Sequence, residues 1–277
     1  AMIGDIHKLL VIDSCYYILD RWKAKSVKKY NKDGKYIVSY GVLGKGPGEY
    51  IEPTDFYCNK DTMIILDQFT HKLIYYHSNG KFMKEKLLPF FATSFYVFNN
   101  NSYIFQIGQS YENNHIKSIT GYSLLWCDSV FNIKYRGLYN IRNNFTSLVT
   151  RGLEYYNGQL FYHEPLSGIL YSISEKGVLY EQAVVEPLNK SLLAKESVIE
   201  KFKTYTELEN EDYAVFNNDY FSLPGGIYFN LLKKHEVYYF FYSFKNQRLQ
   251  YGKYILTEPQ SVIRFTNILS VQGDVLV

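Results

Sequence analysis

Tyr17-Ile18-Leu19-Asp20, then Val27-Lys28-Lys29-Tyr30, then Asp33-Gly34-Lys35-Tyr36, returns downstream as Ile64-Ile65-Leu66-Asp67, Leu73-Ile74-Tyr75-Tyr76 and Asn79-Gly80-Lys81-Phe82. The two aspartates stand 47 residues apart and the two glycines 46, a period in the range of propeller blades. Each unit has one grammar. An apolar strand ends in Asp, a polar turn follows, and a second strand alternates into an aromatic. Asp-Gly or Asn-Gly then closes a hairpin, because the turn needs positive φ.

Working outward, Ile169 to Ile173 followed by Glu175-Lys176-Gly177 is a weaker copy, its glycine 97 residues beyond Gly80. That distance leaves room for a degenerate blade covering Ser102 to Phe105 and Tyr122 to Trp126. Further on, strands are expected over Asp219 to Leu223, Ile227 to Leu232, Glu236 to Phe244 and Leu249 to Ile255, punctuated by Gly225-Gly226. Leu192, Leu193, Val198, Ile199 and Phe202 fall at helical spacing, which predicts a short helical insertion around 188–206. The expectation is an all-β fold, a β-propeller of four-stranded antiparallel blades forming a single domain over residues 1–277. Six blades are expected, the last incomplete or closed by the N-terminus, since an open ring leaves unpaired strand edges.

Composition agrees. The chain holds 29 Tyr and 19 Phe among its 277 residues, and aromatic residues suit a pleated, half-buried surface. A net charge of +3 argues against a dedicated nucleic-acid binder, which shows a larger and clustered excess. The cations from Arg21 to Lys35 read as a solvated strand edge guarded by lysines, and the acids from Glu207 to Asp212 as a solvated face. Cys15, Cys58 and Cys127 are odd in number and widely spaced, so they make neither a disulfide framework nor a zinc site. No run reaches the length of a transmembrane helix.

The run Met2 to Leu9, the Tyr17 to Asp20 strand, the Asp33-Gly34-Lys35 turn and Gly44-Lys45-Gly46-Pro47-Gly48-Glu49-Tyr50 together resemble the NHL-like six-bladed β-propeller family. Bacteria of the Bacteroides type carry these as exported lipoproteins of uncharacterised function. The most specific element is Gly-x-Gly-Pro-Gly-Glu after a hairpin, and the likeness is strongest through Phe82. The resemblance implies export to the periplasm or cell surface of a Gram-negative bacterium. Membrane association would then come only through a lipid anchor outside this chain. It supplies no catalytic residues.

Residue by residue, no catalytic constellation emerges. The Gly44 to Glu49 loop lacks the Lys-Ser/Thr ending of a phosphate-binding loop, and Pro47 removes a backbone donor. It reads as a tight inter-blade connection, with Glu49 as a candidate ligand contact. No serine sits in a nucleophile elbow. No two of the six histidines stand at metal-helix spacing. Asp20 and Asp67, at equivalent positions, read as caps of the turns that follow them. Tyr111, Tyr139, Tyr155 and Tyr220 flank polar, Asn-rich loops and are candidate ligand-binding aromatics, whose faces suit sugar rings. No cofactor and no metal are expected.

The function expected is a non-enzymatic binding or interaction module, exported, recognising a glycan or a protein on one propeller face. One alternative is a metal-dependent hydrolase or lyase at the central channel mouth, gathering His71, His115, His163 or His235. Another is a structural partner in a cell-envelope assembly.

Overall fold

The computed structural model describes residues 3–98, 101–107, 111–139, 153–156, 158–163, 169–184, 215–223, 225–233, 236–252, 255–257, 261–263, 271–272 and 275–276. The chain divides into two compact units, 1–140 and 141–277, each taken here by itself.

In the first unit, β1 (Lys8–Ile12), β2 (Cys15–Asp20), β3 (Ser26–Asn31) and β4 (Tyr36–Tyr40) form the first blade, in that order across the sheet. A connector follows, where β5 (Val42–Leu43) pairs in parallel with β6 (Glu49–Tyr50). The second blade is β7 (Pro53–Cys58), β8 (Thr62–Asp67), β9 (Lys72–His77) and β10 (Phe82–Leu87). The third is β11 (Ser94–Val97), β12 (Tyr103–Gln106), β13 (Tyr122–Cys127) and β14 (Ile133–Tyr139), with a 3-10 turn at Tyr111–Asn113 inside the β12–β13 loop.

The second unit holds two more blades. They are β15 (Leu153–Tyr156), β16 (Gln159–His163), β17 (Ile169–Ile173) and β18 (Leu179–Val184), then β19 (Val215–Leu223), β20 (Gly226–Lys233), β21 (Glu236–Ser243) and β22 (Arg248–Gly252). Beyond them β23 (Ile255–Thr257) pairs with β24 (Ser261–Ile263), and β25 (Val271–Gln272) with β26 (Val275–Leu276). The described residues thus form an all-β propeller with five four-stranded antiparallel blades, where the sequence led to an expectation of six. Two causes are visible. The described residues past Gly252 pair only as two short two-stranded sheets, and β1 belongs to the first blade's own sheet. The helix expected over 188–206 lies outside the described residues, as does the acidic run at 207–212.

The repeat grammar has a direct physical basis. In β8, Met63 and Ile65 point into the core shared with the first blade, among Leu19, Val27, Tyr40 and Phe56. Ile64 and Leu66 point into the core shared with the third, among Phe95, Phe105, Leu125 and Phe131. Alternation with both faces buried explains a nearly continuous apolar run where a half-exposed strand would alternate with polar residues. The fourth and fifth blades share a core of Phe161, Leu170 and Phe229. The hairpin glycines behave as the sequence requires, with φ of +76° at Gly34 and +87° at Gly80.

Candidate functional site

Up-and-down strand order puts two sets of loops at the same end of each blade. These are the β2–β3 type loops (20–25, 67–71, 107–121) and the segments leading into each first strand (4–7, 51–52, 88–93). Side chains stitch this end together. Asp20 accepts the N–H groups of Gly4 (2.7 Å) and Asp5 (3.1 Å) through one oxygen, and of Lys23 (3.0 Å) and Ala24 (2.9 Å) through the other. Burial pushes its carboxyl up, but the four backbone donors outweigh that and hold it below the ordinary value.

Asp67 repeats the arrangement in the second blade, accepting from Ile51 and Glu52 and, in its own turn, from the Phe69 N–H and the Thr70 hydroxyl. Both aspartates therefore cap their turns, as read from the sequence, and also tie down the preceding connector. In the third blade Gln106 occupies the strand end. Asn113 does the tying instead, accepting from Phe91 N–H (2.8 Å) and donating to the Phe91 carbonyl (2.9 Å).

Neighbouring blades are joined on the same surface. Arg21 donates from Nη2 to Glu52 Oε1 (3.2 Å) and Gln68 Oε1 (3.1 Å), and its guanidinium lies 4.3 Å from the centre of the Trp22 ring. His7 meets the same indole edge-on at 6.4 Å. One blade further, His71 Nε2 lies 3.0 Å from Glu112 Oε2, and its ring packs edge-on against Phe91. Held by this scaffold, Trp22 is 55% exposed and Phe69 61% exposed. Each stands two residues after its capping aspartate, so the repeat places two large aromatics in solvent at matching positions.

A second network lies deeper. Lys8 Nζ in β1 donates to Asp55 Oδ1 in β7 (2.6 Å) and to the Phe56 carbonyl. Asp55 Oδ2 accepts from the hydroxyl (2.6 Å) of Ser94 and the N–H (2.9 Å) of Phe95, in β11. One buried carboxylate thus links the first strands of three successive blades, and every bond on it is structural.

The sequence candidates disperse. Glu49 turns back into its own connector, accepting the Gly46 N–H at 2.7 Å, and that connector packs on Phe82 and Tyr76 of the second blade. Tyr111 opens the 3-10 turn beside Asn113; its side chain lies outside the described residues. Tyr139 is exposed at the end of β14, packed edge-on at 5.0 Å against Tyr122 and lying over Gly121. Tyr155 is exposed in β15, next to the hairpin where Tyr156 pairs with Gln159. Tyr220 is in β19, paired with Phe229, and its side chain lies outside the described residues. Trp22, Phe69, Arg21 and Asn113 are the additions, and the aromatic two residues past each repeated Asp was the available signal.

Among the described residues no three His, Cys, Asp or Glu side chains gather as a metal site requires. His71 faces Glu112, His163 is buried in β16, and His235 lies outside the described residues. Cys58 and Cys127 are buried free thiols, each pushed up to about 12 by that burial, and Cys15 is half-buried. Among the described residues no helix is long and apolar enough to cross a membrane.

These blades and their stitched loops define a β-propeller. The chain belongs to the family described as Domain of unknown function (DUF4934), which matches residues 1–272. It is similar in structure to a "Putative exported protein" from Bacteroides fragilis NCTC 9343, with a TM-score of 0.75 at 18% identity, covering 91% of this chain and 72% of that one. It is also similar to a member of the duf4221 family from Bacteroides vulgatus, with a TM-score of 0.52 at 7% identity, covering 95% of this chain and 80% of that one. At these identities the likeness is one of fold. No protein of curated function matches the sequence.

Proposed function

We propose that this protein is an exported, non-enzymatic recognition module that binds a glycan on the surface carrying Trp22 and Phe69. The observation behind this reading is the exposure of those two aromatics at matching repeat positions, beside the fixed polar groups of Arg21, Glu52 and Gln68. Flat apolar rings next to anchored hydrogen-bonding groups suit a ligand with apolar faces and hydroxyl edges. Tyr139 would extend that surface on the third blade, whereas Glu49 acts as a brace of its own turn. Export is proposed on the likeness to the B. fragilis protein and on the Gly44 to Glu49 run, which also supports kinship with NHL-like propellers.

The test uses the chain's two tryptophans. Trp126 is 2% exposed and serves as an internal silent reference, while Trp22 reports on the surface. Titration with a panel of neutral and acidic oligosaccharides should change the Trp22 emission and its quenching by acrylamide. Trp22→Ala and Phe69→Ala should each abolish binding seen on a glycan array while leaving thermal stability intact. Glycan binding that survives both substitutions, or a panel with no binder, would overturn the proposal.

A further inference from the structure

Each blade ends on an outer strand whose edge another strand could join, and such edges are ordinarily protected by bulges, by charge on the strand or by a covering loop. Four of the five outer strands are protected in this way. β4, β10, β14 and β18 each join their blade through a register shift, at Lys29/Tyr30, Phe82/Lys84, Trp126/Cys127 and Leu170/Tyr171. β10 also carries Lys84, Glu85 and Lys86, β14 carries Lys134 and Arg136, and β18 carries Glu181. The Gly80 turn of the second blade lies on Val38 and Ser39 of β4. β22 differs. Arg248 to Gly252 pair with Ser243 to Tyr239 without a shift, and among the described residues the sheet ends there. Its only charge is Arg248 at one end, and four of its five residues are exposed.

On one face of this sheet a stack of rings stops at that edge. Phe229 and Phe240 lie parallel with ring centres 4.9 Å apart, and Tyr251 continues them at 5.8 Å with a tilt of 20°. Phe229 is buried, whereas Tyr251 is 74% exposed. Leu249, two residues earlier and so on the same face, is 51% exposed. Arg248 and Gln250 belong to the opposite face.

We infer that β22 is a homotypic interface, pairing antiparallel with β22 of a second copy about a two-fold axis at Gln250. In that register Leu249 lies opposite the second copy's Tyr251, and Tyr251 opposite its Leu249. The exposed apolar side chains then cover one another, and the ring stack is closed on its open side. Gln250 meets itself, and a primary amide is both donor and acceptor. Arg248 falls opposite Gly252, so no like charges meet across the pair. A slip of one residue would set the apolar face of one sheet beside the polar face of the other. A contact of this symmetry closes at two copies. Five residues a side are well below the roughly 20–30 of a standard interface, which makes the dimer weak and concentration-dependent.

Sedimentation velocity of the full chain, from about 5 to about 500 μM, should show monomer passing into dimer. The decisive variants change the residue on the axis. Gln250→Lys and Gln250→Glu should each weaken dimerisation about tenfold or more, because like charges then face each other. An equimolar mixture of the two should dimerise at least as well as the parent. Tyr251→Lys should weaken the dimer to a similar degree. Both positions are exposed, so melting of the three variants should match the parent at monomeric concentration. Trp22→Ala should leave the dimer unchanged, which separates this interface from the glycan surface. A monomer at every concentration overturns the inference. So does a dimer indifferent to Gln250→Lys, which would place the contact elsewhere. A mixture of the two charged variants that stays monomeric overturns it as well, because the axis would then lie at another residue.

Discussion

The carboxylates of Asp20 and Asp67, 47 residues apart, accept backbone N–H groups from the same relative places, 16 and 15 residues upstream. Each also closes its own turn. One side chain type at one repeat position thus fixes both the loop of a blade and its junction with the blade before.

Asp67→Ala should destabilise the protein by about 2 kcal/mol in urea unfolding, since it strands the half-buried N–H groups of Ile51 and Glu52 at once. Asp67→Asn should cost less, because one side-chain oxygen still accepts. Equal losses for the two variants would show that charge, not acceptor geometry, sustains the junction.

The acid limb of stability should carry the signature of Asp20. Its folded carboxyl is held below the ordinary value of 3.8, so its contribution is present above that pH and disappears as pH falls through the folded value. Asp20→Asn should therefore be less stable than the parent at neutral pH and converge with it below pH 3.8. Parallel stability curves down to the acid limit would contradict this.

The Lys8–Asp55 pair should respond asymmetrically. Lys8→Met leaves Asp55 with the N–H of Phe56, the Ser94 hydroxyl and the N–H of Phe95, and should cost about 1 kcal/mol. Asp55→Ala removes the carboxylate that answers Lys8, Ser94 and the N–H groups of Phe56 and Phe95, and should cost about 3–5 kcal/mol. A double-mutant cycle reads the coupling, and a larger loss for Lys8→Met would refute the ordering.

Gly34 and Gly80 are repeat equivalents with similar φ but different surroundings. A methyl group at Gly34 meets open space, whereas at Gly80 it would come within 2.6 Å of Val38 Cγ2. Gly34→Ala should cost about 1 kcal/mol from backbone strain alone, and Gly80→Ala clearly more, read by thermal melting.

What was legible in the sequence was local. The run Ile64 to Asp67 and the Asn79-Gly80 turn declare themselves because strand alternation and turn chemistry act within a few residues. Blade number did not, because dividing length by a period treats every loop as equal. The β12–β13 connection takes 107–121, where the second blade uses only 68–71, so a fixed period is a poor measure of blade number. The aspartate caps were read correctly as turn caps, yet their hold on the connector 15 and 16 residues upstream needed the fold. Asn113 replaces an aspartate from a different place in the blade, so no alignment of repeats points to it. Trp22 and Phe69 were present at matching offsets but are of the same residue class as the core. Only burial separates an aromatic that packs from one that meets solvent.

The Asp55 clamp also sets an order of assembly. A chain that emerges N-terminus first exposes Lys8 well before Asp55 arrives, and Asp55 must in turn wait for Ser94. The first blade is therefore left with an unanswered charge until the second is made, and the second until the third begins. Each blade acts as the template on which the next is checked. A truncation between residues 88 and 93 should leave a product that quality-control proteases recognise, though its first two sheets are complete in sequence.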